Sequence, residues 1–346
     1  MHHFTAFQPI TLKTLNKNGD QLLFLPAHRK AARSALRLYP AQTWKGKALK
    51  LAVNFALQAG IPLPLSEASP PDFDFSAIRW LVAPADIVAR IQSANTGVFA
   101  GNSNAAGRRY LYLFCDKSGC PVVLAKAGFT PHAREKVDAE RSFLLKHAEL
   151  TGVSSMLGEL VTPDCCAILL PFLAGKCPQG AALNTPIFDV LASWIHPSER
   201  IELRAIPDWR LISEDVGSPE LDQILVHPVV GHGDFAPWNV IVDSSGRWQV
   251  IDWERGTDRW VPGWDWFHYT MQTGLLVEKL SADKLLEKVI SRIHSTNFQN
   301  YALMTGIDGI EEGLLRGYLL YANNVLKQTE GKATIEDLAR WARRRM

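Results

Sequence analysis

Apolar and polar positions follow two regimes along the chain. Between residues 96 and 172 the apolar residues fall into short runs rich in β-branched and aromatic types, such as Tyr110-Leu111-Tyr112-Leu113-Phe114 and Pro121-Val122-Val123-Leu124-Ala125. Glycine, aspartate, serine and proline punctuate them, so they read as strands. Three antiparallel strands are expected across residues 96–126, and two more at 157–161 and 166–172. A helix over 131–150 interrupts them, with Thr130 as its N-cap and Pro131 at its first position. Ahead of them, 84–91 reads as a short helix. Beyond Pro186 the period is mostly helical: 186–195, 218–225, 275–280, 282–293, 309–328 and 334–345. One strand pair breaks that regime, Val240-Ile241-Val242 and Trp248-Gln249-Val250-Ile251, with Asp243-Ser244-Ser245-Gly246 as a hairpin turn. Residues 26–60 read as one or two helices broken near Tyr39-Pro40, with apolar faces from Leu36, Leu38, Leu49, Leu51, Val53, Phe55 and Ala56. Residues 1–25 show no clear period, and 61–75 read as a covering loop.

Length and composition narrow the class. At 346 residues the chain exceeds a typical single domain, so a two-lobed unit or two domains are expected. A hydrophobic content of 47% with 21% charged residues is that of a globular protein. The net charge of +2 gives no bulk electrostatic case for nucleic acid. Apolar runs such as 165–174 are too short to span a bilayer, and the N-terminus shows no signal-peptide pattern, so a cytoplasmic location is expected. Cys115, Cys120, Cys165, Cys166 and Cys177 have no zinc spacing and read as reduced thiols.

Charge is uneven in one stretch. No acid lies between Asp20 and Glu67, while Arg29, Lys30, Arg33, Arg37, Lys45, Lys47 and Lys50 do. One reading is a basic face for an anionic glycan, a lipid phosphate or a membrane surface. The other is a solvated helix face balanced by acids elsewhere, which the near-neutral total favours.

The chemistry concentrates in Gly231-His232-Gly233-Asp234-Phe235-Ala236-Pro237-Trp238-Asn239 and Val250-Ile251-Asp252-Trp253-Glu254. The hairpin sets Asp234 and Asn239 at its mouth and returns Asp252 to the same end. Two carboxylates and an amide are hard oxygen donors suited to Mg²⁺ with substrate phosphates. The pattern H-G-D-x-x-x-x-N followed by I-D-W-E resembles the aminoglycoside phosphotransferase and choline kinase-like family, relatives of the protein kinases. That resemblance covers about residues 95–330 and is sharp at 231–265. It implies an α+β, bilobal protein-kinase-like fold: a small antiparallel-sheet lobe, a mostly helical lobe and an extra helical N-terminal segment. The implied divisions are 1–90, 91–173 and 174–346.

The resemblance also implies roles. Asp234 matches the catalytic base, and Asn239 and Asp252 the metal ligands. Lys126 would reach the nucleotide phosphates, paired with Glu140 or, alternatively, Glu135. Leu170, Pro171, Phe172 and Leu173 would form the adenine-contacting hinge. His232 and Asp265 would brace the catalytic loop. The Gly101-Asn102-Ser103-Asn104 stretch does not spell G-x-G-x-x-G, but its small residues let backbone amides approach phosphates closely. Trp253, Trp260, Trp264 and Trp266 read as core packing rather than a sugar platform. The implied activity is transfer of the γ-phosphate of ATP, with Mg²⁺, to a hydroxyl of a sugar or glycan, an amino alcohol or an antibiotic-like molecule. Two other classes remain at this level: a nucleotide-binding pseudokinase, and an interaction protein using the basic N-terminal helices.

Overall fold

The computed structural model describes residues 12–17, 20–39, 44–63, 65–72, 74–101, 107–178, 185–326 and 332–344. The chain divides into two compact units: Met1–Ala148 with Ser154–Phe172, and Glu149–Val153 with Leu173–Met346. The first is built on an antiparallel sheet and the second is mostly helical, which is the α+β class the motif implied.

In the first unit the strands are β1 (Leu12–Lys17), β2 (Asp20–Leu25), β3 (Ser66–Ala68), β4 (Arg79–Trp80), β5 (Ile91–Ala100), β6 (Arg109–Asp116), β7 (Pro121–Gly128), β8 (Gly158–Val161) and β9 (Cys166–Pro171). They form one sheet in the order β3-β1-β2-β5-β6-β7-β9-β8-β4. The helices are α1 (Arg29–Arg37), α2 (Trp44–Ala59), α3 (Ala85–Arg90) and α4 (Pro131–Lys146). The two helices expected across 26–60 are α1 and α2. The N-terminal segment adds to them four strands that carried no signal. Strand β1 pairs with β2 and β3, β2 reaches β5, and β4 reaches β8, so these residues are part of the sheet.

One apolar layer of this unit gathers Phe24, Val98, Tyr112, Phe114, Val123, Ala125, Leu160 and Leu169. Leu23 and Leu25 pack with Ala32, Ala35 and Leu36 of α1 and Val53 of α2. Alternation along β2, with Phe24 in one cluster and its neighbours in the other, is the period-two signature of a strand covered on both faces. Helix α4 is capped as its sequence suggests: Thr130 Oγ1 accepts from the Ala133 amide at 3.3 Å. Its buried stripe is Ala133, Val137, Glu140, Phe143 and Leu144, so one carboxylate stands in an otherwise apolar face.

The second unit comprises α5 (Thr185–Ser193), β10 (Ile201–Glu202), α6 (Pro207–Arg210), α7 (Ser213–Val216), α8 (Pro219–Asp222), β11 (Leu225–Val226), β12 (Val229–Gly231), β13 (Val240–Val242), β14 (Trp248–Val250), β15 (Thr257–Trp260), α9 (Trp264–Gln272), α10 (Ala282–Ile293), α11 (Thr296–Thr305), α12 (Glu311–Asn324) and α13 (Lys332–Arg344). The expected hairpin is β13–β14, with Val240 opposite Val250. Asp243 closes it, its Oδ1 accepting from the amides of Ser245 (2.8 Å) and Arg247 (3.1 Å). The Ser245 hydroxyl and these amides hold that carboxyl down at about 2.

The core of this unit is aromatic. All of α9 is buried, and Trp264 and Phe267 pack on Tyr318 of α12. Trp253, Trp260, Trp264 and Trp266 are all buried, as the packing reading required. Helices α9 and α11 carried no helical signal: uniform burial erases the amphipathic period in α9, and α11 is short. The five cysteines are free; Cys115, Cys165 and Cys166 are buried and Cys177 is exposed. No helix among the described residues is long and apolar enough to cross a membrane.

Candidate active site

In the second unit the loop between β12 and β13 is fixed from below. Asp265, fully buried at the start of α9, accepts from the His232 amide at 2.7 Å and the Gly233 amide at 3.0 Å. Burial pushes the Asp265 carboxyl up, while His232 and the two amides pull it back. The His232 ring continues the clamp. Its Nδ1 accepts from the Asp234 amide at 3.2 Å, so Nε2 is free to donate to the Ile251 carbonyl at 2.9 Å. The Ile251 amide in turn donates to the Asn239 carbonyl at 2.9 Å. One buried imidazole thereby ties the Asp234 backbone to the residue preceding Asp252.

Two glycines are required here. Gly233 has φ +73°, and a Cβ there would stand 2.9 Å from the Arg255 carbonyl oxygen. A Cβ on Gly231 would meet the Trp260 ring at 2.3 Å. Asp252 adopts φ +69° without being glycine, one of two such residues among those described. A left-handed aspartate is uncommon and such strain concentrates at functional sites.

The Asp234 side chain, 38% exposed, is met on both oxygens. His268 Nε2 stands 3.0 Å from Oδ1, and Asn239 Nδ2 donates to Oδ2 at 3.2 Å and to the Asp234 carbonyl at 2.8 Å. Burial would raise this carboxyl, but His268, by hydrogen bond and charge, together with His232 and Arg255 holds it below the usual carboxylate range. Behind His268 stands Tyr318, whose hydroxyl lies 2.9 Å from Nδ1. Burial drives the Tyr318 phenol well up, so it stays protonated. The result is a buried chain, Tyr318–His268–Asp234, whose last member alone reaches solvent. Neither His268 nor Tyr318 was singled out from the sequence. The available signal was a histidine three residues after Asp265 in an aromatic helix, where two buried polar groups share one face.

With its amide nitrogen committed to Asp234, Asn239 has its Oδ1 oxygen left to offer a cation. That oxygen and the Asp252 carboxylate are hard donors of the kind Mg²⁺ takes, alongside phosphate oxygens and water. Among the described residues no group of three or more His, Cys, Asp or Glu could hold a metal. Beside Gly233 opens a cavity of about 340 Å³ lined by Asp208, Arg255, Thr257, Trp260 and Tyr321. Tyr321 donates to Asp208 at 3.0 Å, and burial lifts the Asp208 carboxyl.

In the first unit Lys126 of β7 and Glu140 of α4 form a buried ion pair, Nζ to Oε2 at 2.5 Å. Glu135, the alternative partner, is exposed and pairs instead with His132 at 3.4 Å. Gly101 donates its amide to the Arg109 carbonyl at 2.9 Å; Asn102, Ser103 and Asn104 lie outside the described residues. Leu170 and Pro171 end β9. Pro171 has no amide hydrogen, and the Phe172 amide donates to the Val122 carbonyl at 3.0 Å. Leu173 opens the longer segment of the second unit.

Residues 189–261 match the model of the phosphotransferase enzyme family. That segment holds His232, Asp234, Asn239 and Asp252 and stops short of Asp265, so the resemblance read from the motif rests on the same residues. No curated protein matches the chain. Among solved structures, the choline kinase LicA from Streptococcus pneumoniae is 14% identical, with 76% of this chain and 98% of that one covered at a TM-score of 0.43. The aminoglycoside phosphotransferase APH(3'')-Id from Streptomyces rimosus is 16% identical, with 66% and 89% covered at 0.39. An ethanolamine kinase from Plasmodium vivax is 12% identical, with 95% and 93% covered at 0.43.

Proposed function

We propose that this protein is an ATP- and Mg²⁺-dependent kinase acting on a hydroxyl of a small molecule. The observation that carries the reading is Asp234: a half-exposed carboxylate, held by two side-chain donors, on a loop locked by Asp265 and His232. Its lowered pKa keeps it ionised at neutral pH. An ionised carboxylate can accept and aim the hydrogen of an attacking hydroxyl and take the proton once the bond to phosphorus is forming. Asn239 and Asp252 would hold Mg²⁺, which when bound neutralises charge on the transferring phosphates. Lys126, kept in place by Glu140, would meet the α- and β-phosphates. Leu170 to Leu173 would contact adenine, and Gly101 to Asn104 would approach the phosphates through backbone amides.

The acceptor pocket in this reading is the cavity beside Gly233. Asp208 and Arg255 offer both signs of charge, and Trp260 and Tyr321 offer aromatic surface. Such a lining suits a sugar, which can stack on the aromatic faces, and an amino alcohol, whose cation the rings and Asp208 would meet.

The test is a thermal-shift titration with ATP, GTP and ADP, each with and without Mg²⁺. A ligand confined to the native state adds about 2.7 kcal/mol at a hundredfold excess over its Kd. The expected result is a Mg²⁺-dependent rise that Asp252→Ala abolishes, followed by acceptor-dependent ADP release. No shift with any nucleotide would refute the reading.

A further inference from the structure

Helix α2 carries apolar residues on two opposite faces. Val53 and Ala56 turn inward. At about 100° per residue, Trp44, Ala48, Leu51 and Phe55 fall within roughly 60° of one another on the side opposite Val53. Trp44 is 75% exposed, Leu51 69% and Phe55 65%; Ala48, Ala52 and Ala59 are exposed beside them. Leu51 and Phe55 belong to the apolar faces read from the sequence, and the structure turns both to solvent.

Cations run along one border of this stripe. Arg33 and Arg37 of α1 and Lys47 and Lys50 of α2, with Leu51 and Asn54, line a cavity of about 530 Å³ that contains no carboxylate among its lining residues. Arg33 Nε donates to Asn54 Oδ1 at 3.0 Å, and Lys50 Nζ to the Tyr39 carbonyl at 2.6 Å. These are neutral acceptors, so they orient the cations without cancelling their charge. Burial, and then Arg37, lower the Lys50 pKa.

An apolar stripe on a helix, bordered by lysine and arginine, is the pattern of a helix lying in a membrane interface. A free phosphate would explain the cations and leave the stripe unexplained. A neutral apolar partner would explain the stripe and leave four acid-free cations beside it. We propose that α2, with the cations of α1, docks the protein on an anionic phospholipid surface. Trp44, Leu51 and Phe55 enter the headgroup region, and Arg33, Arg37, Lys47 and Lys50 meet lipid phosphates. The contact is peripheral and reversible, and it uses none of the residues assigned to phosphoryl transfer.

The test is co-sedimentation of the full chain, without nucleotide, with vesicles of phosphatidylcholine alone or mixed with phosphatidylglycerol. Binding is expected only to the mixed vesicles. Each cation near the surface contributes severalfold in affinity, so Arg37→Glu/Lys47→Glu should reduce binding on the order of a hundredfold, and high salt should weaken it. Leu51→Ser/Phe55→Ser should reduce it about tenfold or more with an unchanged melting curve, because both side chains are already exposed. Four results would overturn the proposal. They are no binding to mixed vesicles at low salt, binding by both double variants equal to that of the unaltered chain, and release by inorganic phosphate where chloride of equal ionic strength has no effect. The fourth is a lipid-free dimer that Leu51→Ser/Phe55→Ser converts to monomer, which would make a second copy the occupant.

Discussion

Lys126–Glu140 in the first unit and Asp234 with its neighbours in the second both set a carboxylate against nitrogen donors, but one arrangement is closed and the other open. Glu140 is buried in the apolar stripe of α4, and its Oε2 meets Lys126 directly. Asp234 has both oxygens bonded and still keeps more than a third of its side chain in water. A buried pair resists removal of either charge, because the other then lacks its opposite in a low-polarity setting. An open, pre-aimed carboxylate contributes less to folding and more to whatever approaches it. Loss of Glu140 should therefore register as lost stability together with weaker nucleotide binding through Lys126, and loss of Asp234 mainly as lost rate.

The largest expected effect is on rate. Asp234→Asn should lower kcat by about 10²–10⁴-fold while nucleotide affinity holds and the denaturant midpoint moves little. Steady-state kinetics beside nucleotide titration reads both; unchanged turnover would end the base assignment.

Next comes stability in the first unit. Glu140→Ala should cost about 3–5 kcal/mol, seen as a lower denaturant midpoint at constant slope. Lys126→Met/Glu140→Leu should recover most of that loss, since an apolar pair leaves no buried charge behind. Failure of the double variant to recover would mean that the pair does more for the fold than balance its own charges.

A smaller effect concerns pH. Burial alone would raise Asp234 above its ordinary 3.8, and His268 is the foremost opposing influence. Because the folded pKa is depressed, the stability it brings is present above the unfolded value and is lost as pH falls through the folded one. His268→Phe lets burial prevail, so the acid limb of the rate profile should move to higher pH and the acid-range stability gain should shrink. A profile that does not move would separate His268 from the carboxylate. The smallest effect is Tyr318→Phe, about 1 kcal/mol of stability for one lost hydrogen bond, with a minor shift of the same limb.

The parts of the molecule legible in the sequence were those whose signals are local. Strands β5 to β9 announce themselves by short apolar runs between turn residues. Residues 232–239 and 250–254 carry their chemistry in consecutive positions, and Glu140 was preferred to Glu135 because it lies deeper in α4. What escaped depends on partners far away in the chain. Strand β2 is short and pairs with β5 far along the chain, with Leu23 opposite Phe99. His268 finds Tyr318 fifty residues on. The outward stripe of α2 escaped for another reason: hydrophobic period shows that a face is apolar and not whether anything covers it.

Indole placement makes the two units optically unequal. Of the eleven tryptophans, Trp44 and Trp80 lie in the first unit and all the others in the second. Seven of those, Trp194, Trp209, Trp248, Trp253, Trp260, Trp264 and Trp266, are buried, while Trp44 is largely exposed. Emission from the native protein thus reports mostly on the helical unit, with Trp80, packed on Phe75, as the first unit's partly buried reporter, while far-ultraviolet dichroism records the sheet. Non-coincident melting by the two probes would then measure how independently the two units unfold.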